Sequence, residues 1–258
     1  MRDYIEFMCS IAKFTRAKTI VEVGVETGTS FLGFAETFKY RNDMKLLGFD
    51  LWEQHGLVSQ FPKRGSKEYV DDMIKDTGFK DYTLTRVDTI NKRDEFETKL
   101  DELLDGREID LAFVDADHSY VGIKNDFEVV YKRLSAIGII VFHDTLMIDG
   151  CREFMIDLRT KYFDGTFDIV DFPFGHGDRF CGVSVLFKRT FPLVDRPIDQ
   201  ICGSISSPDD IEIKEVEWLN GEMERYKHAD IYEKITKDDM CDSLYDKDLR
   251  PKRNRKWN

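Results

Sequence analysis

Apolar runs and segments of helical periodicity alternate along the first 190 residues of the chain. Ile5, Met8, Ile11 and Ala12 fall near one helical face, which predicts a packing helix over residues 3–16. Seven apolar runs then predict strands, at residues 19–24, 45–50, 82–87, 109–115, 138–143, 166–171 and 180–188. Helical patterns separate the first six of these strands and fall near residues 29–40, 66–76, 92–104, 121–134 and 149–162.

This alternation predicts a parallel sheet with helices on both faces, because strands buried on both sides are apolar throughout. The last two predicted strands, 166–171 and 180–188, are joined by a segment too short for a crossover helix, so we expect that pair to be antiparallel. The predicted fold class is therefore α/β, a doubly wound seven-stranded sheet that is mostly parallel with an antiparallel last strand.

The chain changes character at about residue 191. Charged residues with scattered aromatics dominate from there on, and residues 250–258 are basic. We therefore divide the chain into an α/β domain over residues 1–190 and a charged C-terminal extension over residues 191–258. The basic end is either a solvated tail or an arm that packs on the acidic body or on a second subunit.

The net charge of −12 argues against non-specific binding to nucleic acid or to an anionic membrane, because the mean field of the protein repels phosphates. Five cysteines, an odd number with no CxxC spacing, favour reduced thiols over a disulfide framework. No apolar run is long enough to span a bilayer. We therefore expect a cytoplasmic protein with a small-molecule substrate, without a nucleic-acid or membrane partner.

Two glycines mark the turn between the first predicted strand and the helix near residues 29–40. Glycine permits a tight turn and lets a ligand approach bare backbone. Gly24 and Gly28 have GxxxG spacing rather than the GxGxxG of nicotinamide-binding folds. Glu22, two positions before the first glycine, would suit a cationic ligand rather than a pyrophosphate. S-adenosylmethionine (SAM) carries a sulfonium and an ammonium group, whereas NAD does not.

Glu22, Gly24, Gly28 and Ser30 form the pattern E-x-G-x-x-x-G-x-S. This pattern resembles the first motif of class I SAM-dependent methyltransferases and is closest to the catechol O-methyltransferase type. The resemblance implies a Rossmann-like fold in which the backbone around Gly24 and the Ser30 hydroxyl hold the methionine moiety. Glu26, between the two glycines, joins Glu22 and Gly28 among the candidate cofactor-binding residues.

Acidic residues that follow later strands complete the predicted cofactor site. The resemblance implies that Asp50, at the end of the second strand, binds the ribose hydroxyls, and a carboxylate can accept hydrogen bonds from two vicinal hydroxyls. It also implies that Asp88, after the third strand, lies at the adenine. Asp115, at the end of the fourth strand, is the last candidate cofactor-binding residue.

Acidic and imidazole side chains close the fourth and fifth predicted strands. Asp115, Asp117 and His118 follow one strand, and His143 and Asp144 close the next. In an open α/β sheet, ligands bind beyond the carboxyl ends of the strands, so we expect these side chains to gather there. Oxygen and imidazole ligands suit Mg²⁺, Mn²⁺ or Fe²⁺.

The segments VDADHSY and HD resemble a bacterial branch of the same methyltransferases, which includes macrolide-sugar O-methyltransferases and cephalosporin hydroxylase-like proteins. The resemblance covers roughly residues 18–188. It implies that Asp115 and Asp144 are ligands of a divalent metal, Mg²⁺ or Mn²⁺, and that His118 is the general base. Relatives often carry a carboxylate at position 143, and His143 is our third candidate ligand.

The leading interpretation is therefore a metal-assisted, SAM-dependent O-methyltransferase that acts on a small hydroxylated molecule such as a sugar, with a homodimer as a family-level expectation. A second interpretation is an oxygenase in which Asp115, His118 and His143 hold iron. A third is a non-catalytic assembly protein. The segments 52–65 and 172–180 are expected to gate the site.

Overall fold

The computed structural model describes residues 3–52, 65–174 and 181–189. Thirteen elements alternate along these residues: α1 (Asp3–Phe14), β1 (Thr19–Val23), α2 (Thr29–Phe38), β2 (Lys45–Asp50), α3 (Lys67–Thr77), β3 (Tyr82–Arg86), α4 (Arg93–Leu104), β4 (Ile109–Val114), α5 (Tyr120–Tyr131), β5 (Leu134–His143), α6 (Asp149–Thr160), β6 (Phe167–Phe172) and β7 (Val183–Lys188). All seven predicted strands and all six predicted helices are present.

The strands form one sheet in the order β3-β2-β1-β4-β5-β7-β6. The first five strands run parallel to one another, whereas β7 runs antiparallel to both β5 and β6. The predicted doubly wound, mostly parallel sheet is therefore confirmed, and β7 lies between β5 and β6 rather than at the edge. The order of the strands reverses between β1 and β4, and a ligand is expected at such a switch point.

Buried side chains form one core on each face of the sheet. Because side chains alternate along a strand, Ile20 joins the core that packs against α1, α2 and α3, while Val21 joins the core beneath α4, α5 and α6. All five residues of β1 are buried, which explains why this strand reads as a nearly continuous apolar run.

One boundary differs from the sequence prediction. The fifth strand was expected to begin at residue 138, with a helix reaching residue 134, but α5 ends at Tyr131 and β5 begins at Leu134. Leu134 already pairs with Ile109, and the register then shifts before Leu111. Ser135 and Gly138 interrupt the apolar residues in the early part of β5, so the sequence there lacks the continuous apolar run that marks the rest of the strand.

The described residues all belong to the first of two units into which the chain divides, Met1–Asp195, and the second unit is Arg196–Asn258. The extension predicted over 191–258, and most of the expected gating segments 52–65 and 172–180, lie outside the described residues. Among the described helices, none is long and apolar enough to cross a membrane.

Candidate functional site

A pocket of about 610 Å³ lies beyond the carboxyl ends of the central strands. This volume is within the range of small-molecule sites. Nine of the predicted site residues line it: Gly24, Glu26, Ser30, Asp50, Asp88, Asp115, His118, His143 and Asp144. The other two, Glu22 and Gly28, are not among the residues that line the pocket. The topology therefore brings together side chains that are far apart in sequence.

The turn after β1 is packed directly against the end of β4. Gly24 has φ +92°, and a Cβ atom added to it would lie 2.2 Å from the carbonyl oxygen of Asp115. The Gly24 amide donates to the Phe49 carbonyl at 2.8 Å, and the Asp115 amide donates to the Val23 carbonyl at 2.8 Å. Both the conformation and the close approach require glycine at position 24.

Glu22 supports the pocket from behind. Its side chain is fully buried, and the Ser30 hydroxyl donates a 2.5 Å hydrogen bond to its Oε1 atom. Burial raises the pKa of Glu22 well above its usual range. Glu22 therefore holds Ser30, which lines the pocket near the start of α2, and its own contact with the cofactor stays a prediction.

Asp50 joins two strained loops. Its carboxylate accepts the Glu26 amide at 2.8 Å and the Trp52 amide at 2.5 Å. Glu26 and Trp52 both have φ +46°, a conformation that non-glycine residues rarely adopt and that tends to cluster at functional sites. Burial raises the pKa of Asp50 even though both amides oppose that shift. Each oxygen keeps a lone pair that can accept a ligand hydroxyl.

Asp88 is largely occupied by its own turn. It accepts the amides of Ile90 and Asn91 at 3.1 and 2.9 Å, and the Asn91 side chain at 2.9 Å. The hydrogen bonds from Asn91 lower the pKa of Asp88. The carboxylate therefore organises the segment between β3 and α4, and its contact with adenine stays a prediction.

Four titratable side chains meet at the ends of β4 and β5. Asp115 Oδ1 lies 3.2 Å from both His118 Nε2 and His143 Nδ1. His143 Nδ1 is 3.4 Å from Asp144 Oδ1, and His118 Nε2 is 3.6 Å from Asp144 Oδ2. Burial alone would raise the pKa of Asp115, but the two imidazoles hold it below its usual range. Asp115 raises the pKa of His118, and the carboxylates bring that of His143 to about 10 despite its burial.

The donor set of this cluster fits a divalent cation. One ligand atom each from Asp115, His118 and Asp144 can be chosen so that all lie within 4.8 Å of one another. His143 Nδ1 and Asp144 Oδ1 are buried without a hydrogen-bond partner among the described residues. His118, which we predicted as the general base, lies next to the predicted ligands Asp115 and Asp144. Its position would therefore also allow it to bind the metal.

Elements remote in sequence hold the two histidines in place. A Cβ atom on Gly150 of α6 would lie 2.4 Å from the His118 carbonyl oxygen, so this helix packs closely against the His118 segment. The ring of Tyr4 in α1 lies with its centroid 4.6 Å from that of His143, and Tyr4 also lines the pocket. Sequence reasoning missed both residues, because neither shares a motif with the strand ends.

The charges around the pocket favour a cationic ligand. Six carboxylates line it, and among the described lining residues the two imidazoles are the basic groups that oppose them: Glu26, Asp50, Asp88, Asp115, Asp117 and Asp144 against His118 and His143. This excess of negative charge would repel a pyrophosphate and attract a sulfonium or an ammonium group. The negative charge of the pocket thus favours the cationic kind of ligand that was first inferred from Glu22.

Residues 21–145, which run from β1 to just beyond β5, match a family model described as "Methyltransferase domain". A comparison with curated proteins finds no significant match. The matched span contains every predicted site residue.

Solved structures with the same fold include two bacterial O-methyltransferases. TomG from Streptomyces achromogenes, which is involved in tomaymycin synthesis and was solved with SAM, is 16% identical with a TM-score of 0.56, over 72% of this chain and 79% of that chain. An enzyme from Bacillus cereus, solved with S-adenosylhomocysteine (SAH), is 13% identical with a TM-score of 0.56, over 72% of this chain and 80% of that chain. At this identity the likeness shows the fold.

Proposed function

We propose that the chain, whose residues 21–145 match a methyltransferase domain, transfers a methyl group from SAM to a hydroxyl oxygen of a small molecule with the help of a divalent cation. The observation that carries the proposal is the juxtaposition, in one pocket, of the Gly24 turn and the cluster of Asp115, His118, His143 and Asp144. The fold neighbours solved with SAM and SAH support the cofactor, and both are O-methyltransferases.

The residues around the Gly24 turn fit SAM. The amides at the start of α2 can receive the methionine carboxylate, because the first N–H groups of a helix have no intrahelical partner. The Ser30 oxygen, whose proton is directed to Glu22, can accept from the ammonium group. Asp50 presents its remaining lone pairs to the ribose hydroxyls. SAM, when bound, supplies an electrophilic methyl group on sulfur.

Asp115, His143 and Asp144 are the proposed ligands of the cation. His143 Nδ1 and Asp144 Oδ1 are buried and make no hydrogen bond among the described residues, and Asp115 Oδ1 lies 3.2 Å from His143 Nδ1. A bound cation would lower the pKa of a coordinated substrate hydroxyl. An imidazole beside two carboxylates suits Mn²⁺ or Fe²⁺ at least as well as Mg²⁺.

His118 is the proposed general base. Its side chain is 35% exposed and lines the pocket, whereas the side chain of His143 is 11% exposed. His118 can therefore reach a substrate hydroxyl and accept its proton at a ring nitrogen. The competing assignment makes His118 the third ligand instead of His143, and one nitrogen cannot perform both tasks at once.

Calorimetry separates these assignments. We expect Asp50→Ala to abolish SAH binding, while Asp43→Ala, which removes a surface partner of Arg41, leaves it intact. We expect His143→Ala to weaken Mn²⁺ binding about tenfold or more and His118→Ala to leave it near that of the unaltered protein. Loss of Mn²⁺ binding in His118→Ala alone would make His118 a ligand, and absence of SAH binding by the unaltered protein would refute the function.

The acceptor atom is tested by product analysis. SAM is supplied with a panel of glycosides, sugars and catechols, SAH release is followed, and the methylated product is examined by NMR. Methylation of nitrogen or carbon would overturn transfer to oxygen. The two imidazoles at 3.2 Å from Asp115 also suit an iron oxygenase, and Fe²⁺-dependent oxygen consumption without SAM would favour that alternative.

A further inference from the structure

One buried carboxyl group lies outside the cluster described above. Asp126 in α5 is fully buried, and neither of its carboxylate oxygens has a hydrogen-bond partner among the described residues. Burying such a group without a partner costs free energy, and native structures seldom leave one without a reason. The neighbours of Asp126 indicate what the reason is.

The neighbours belong to the wall of the cofactor pocket. Residues 87–90, which follow β3, line that pocket. Asn125, next to Asp126 in α5, donates its side-chain amide to the carbonyl oxygen of Thr89. The Thr89 side chain faces Asp126 and lowers the pKa of that carboxyl through hydrogen bonding, although no contact between them meets the distance and angles of a full hydrogen bond. Two consecutive residues of α5 thus approach Thr89, one at its backbone and the other at its side chain.

We propose that Asp126 is a positioning residue for cofactor binding, which hydrogen-bonds with the Thr89 hydroxyl when the pocket is occupied and so fixes the wall formed by residues 87–90. The inference rests on the proposed function to the extent that SAM or SAH is the ligand of this pocket. Because Asp126 does not line the pocket, it acts through Thr89 and is not itself a contact of the cofactor.

The protonation of Asp126 suits this role. Burial raises its pKa to about 7, and the negative charge of Asp117, in the segment that precedes α5, raises it as well. Near neutral pH the carboxyl is therefore often protonated, and it can either donate to the Thr89 oxygen or accept from the Thr89 hydroxyl. An aspartate with its usual pKa would be almost wholly ionised there and would offer acceptors only.

Paired substitutions test the proposal. SAH affinity is measured by calorimetry and stability by thermal unfolding for Asp126→Leu, Asp126→Asn, Thr89→Val and Thr89→Ser. We expect Asp126→Leu and Thr89→Val each to weaken SAH binding about tenfold, the size of one hydrogen bond. Asp126→Asn and Thr89→Ser keep hydrogen-bonding groups and should bind nearly as well as the unaltered protein. Removing an unpartnered carboxyl should not lower the unfolding temperature of Asp126→Leu.

The double variant Asp126→Leu/Thr89→Val decides whether the two residues act together. We expect it to bind SAH no more weakly than either single variant, because both substitutions remove the same interaction. Additive losses, or unchanged affinity in Thr89→Val, would overturn the proposal. Thr89→Val keeps the test independent of whether Asp126→Leu folds. If the unaltered protein did not bind SAH, the proposed function would fail instead.

Discussion

The substitution Gly24→Ala tests the packing on which the whole pocket depends. An added Cβ would lie 2.2, 2.4 and 2.5 Å from backbone atoms of Asp115 and Ala116, whereas ordinary contact begins at 3.4 Å. Backbone cannot rotate away as a flexible side chain can, so the ends of β1 and β4 must separate by about 1 Å. Such overpacking costs about 1–3 kcal/mol. The conformation at φ +92° adds about 1–2 kcal/mol for a residue with a side chain.

Gly78→Ala is the matched control. Gly78 ends α3 with φ +81°, and a Cβ atom there would meet no atom within 4 Å. This variant should lose only the free energy of placing a side chain at positive φ, about 1–2 kcal/mol. The difference in unfolding free energy between the two variants is then the overpacking cost, about 1–3 kcal/mol. Urea unfolding measures both free energies on the same scale.

SAH binding provides the second measurement for the same pair of variants. Gly24 and Asp115 both line the pocket, so a separation of their strand ends should weaken SAH binding, while Gly78→Ala binds SAH normally. The reasoning is refuted if Gly24→Ala loses no more stability than Gly78→Ala. It is also refuted if the less stable Gly24→Ala variant still binds SAH with full affinity.

Three further predictions concern the groups that support the site. Glu22→Gln should gain stability relative to the unaltered protein as the pH rises from 5 to 8. The pKa of Glu22 is raised in the folded state, so its burial becomes unfavourable once the Glu22 carboxyl of the unfolded chain ionises. Equal pH dependence of the two proteins in urea unfolding would contradict this. Gly150→Ala should lower the rate of methyl transfer about tenfold or more by displacing His118, the proposed general base, although alanine in a helix adds about 1 kcal/mol of stability. An unchanged rate would show that the contact relaxes. Asp110→Ala should cost about 1–2 kcal/mol of unfolding free energy, because the Thr19 amide loses its acceptor, and a smaller loss would mean that water replaces it.

The sequence predicted the elements of this fold well because each strand is buried on both faces. A buried parallel strand leaves a compact apolar run, and β1 is apolar at every position except its first residue and Glu22. The start of β5 was not predicted, because Ser135 and Gly138 interrupt the apolar run there. In this part of the strand Leu134 pairs with Ile109 before the register shifts. Local pattern thus predicts an element where burial is uniform and misses its end where exposure varies.

The candidate site was predictable where chemistry coincides with a strand end. Gly24, Asp50, Asp115 and His143 each stand where an apolar run stops, and the parallel topology then brings them to one edge of the sheet. Thr89, Tyr4 and Gly150 gave no such signal, since a residue that supports a site from another element needs only to be near it in space.

The sequence by itself therefore determined which elements form and which strand ends carry reactive groups, because both follow from local periodicity. Only the tertiary structure decided the state of those groups. It buries Glu22 beside Ser30, where desolvation raises the pKa of the carboxyl, and it exposes His118 more than His143. It also places Asp126 behind Thr89, 37 positions earlier in the chain. Desolvation and partner distances set protonation and ligand access, and both depend on how separate segments pack against one another.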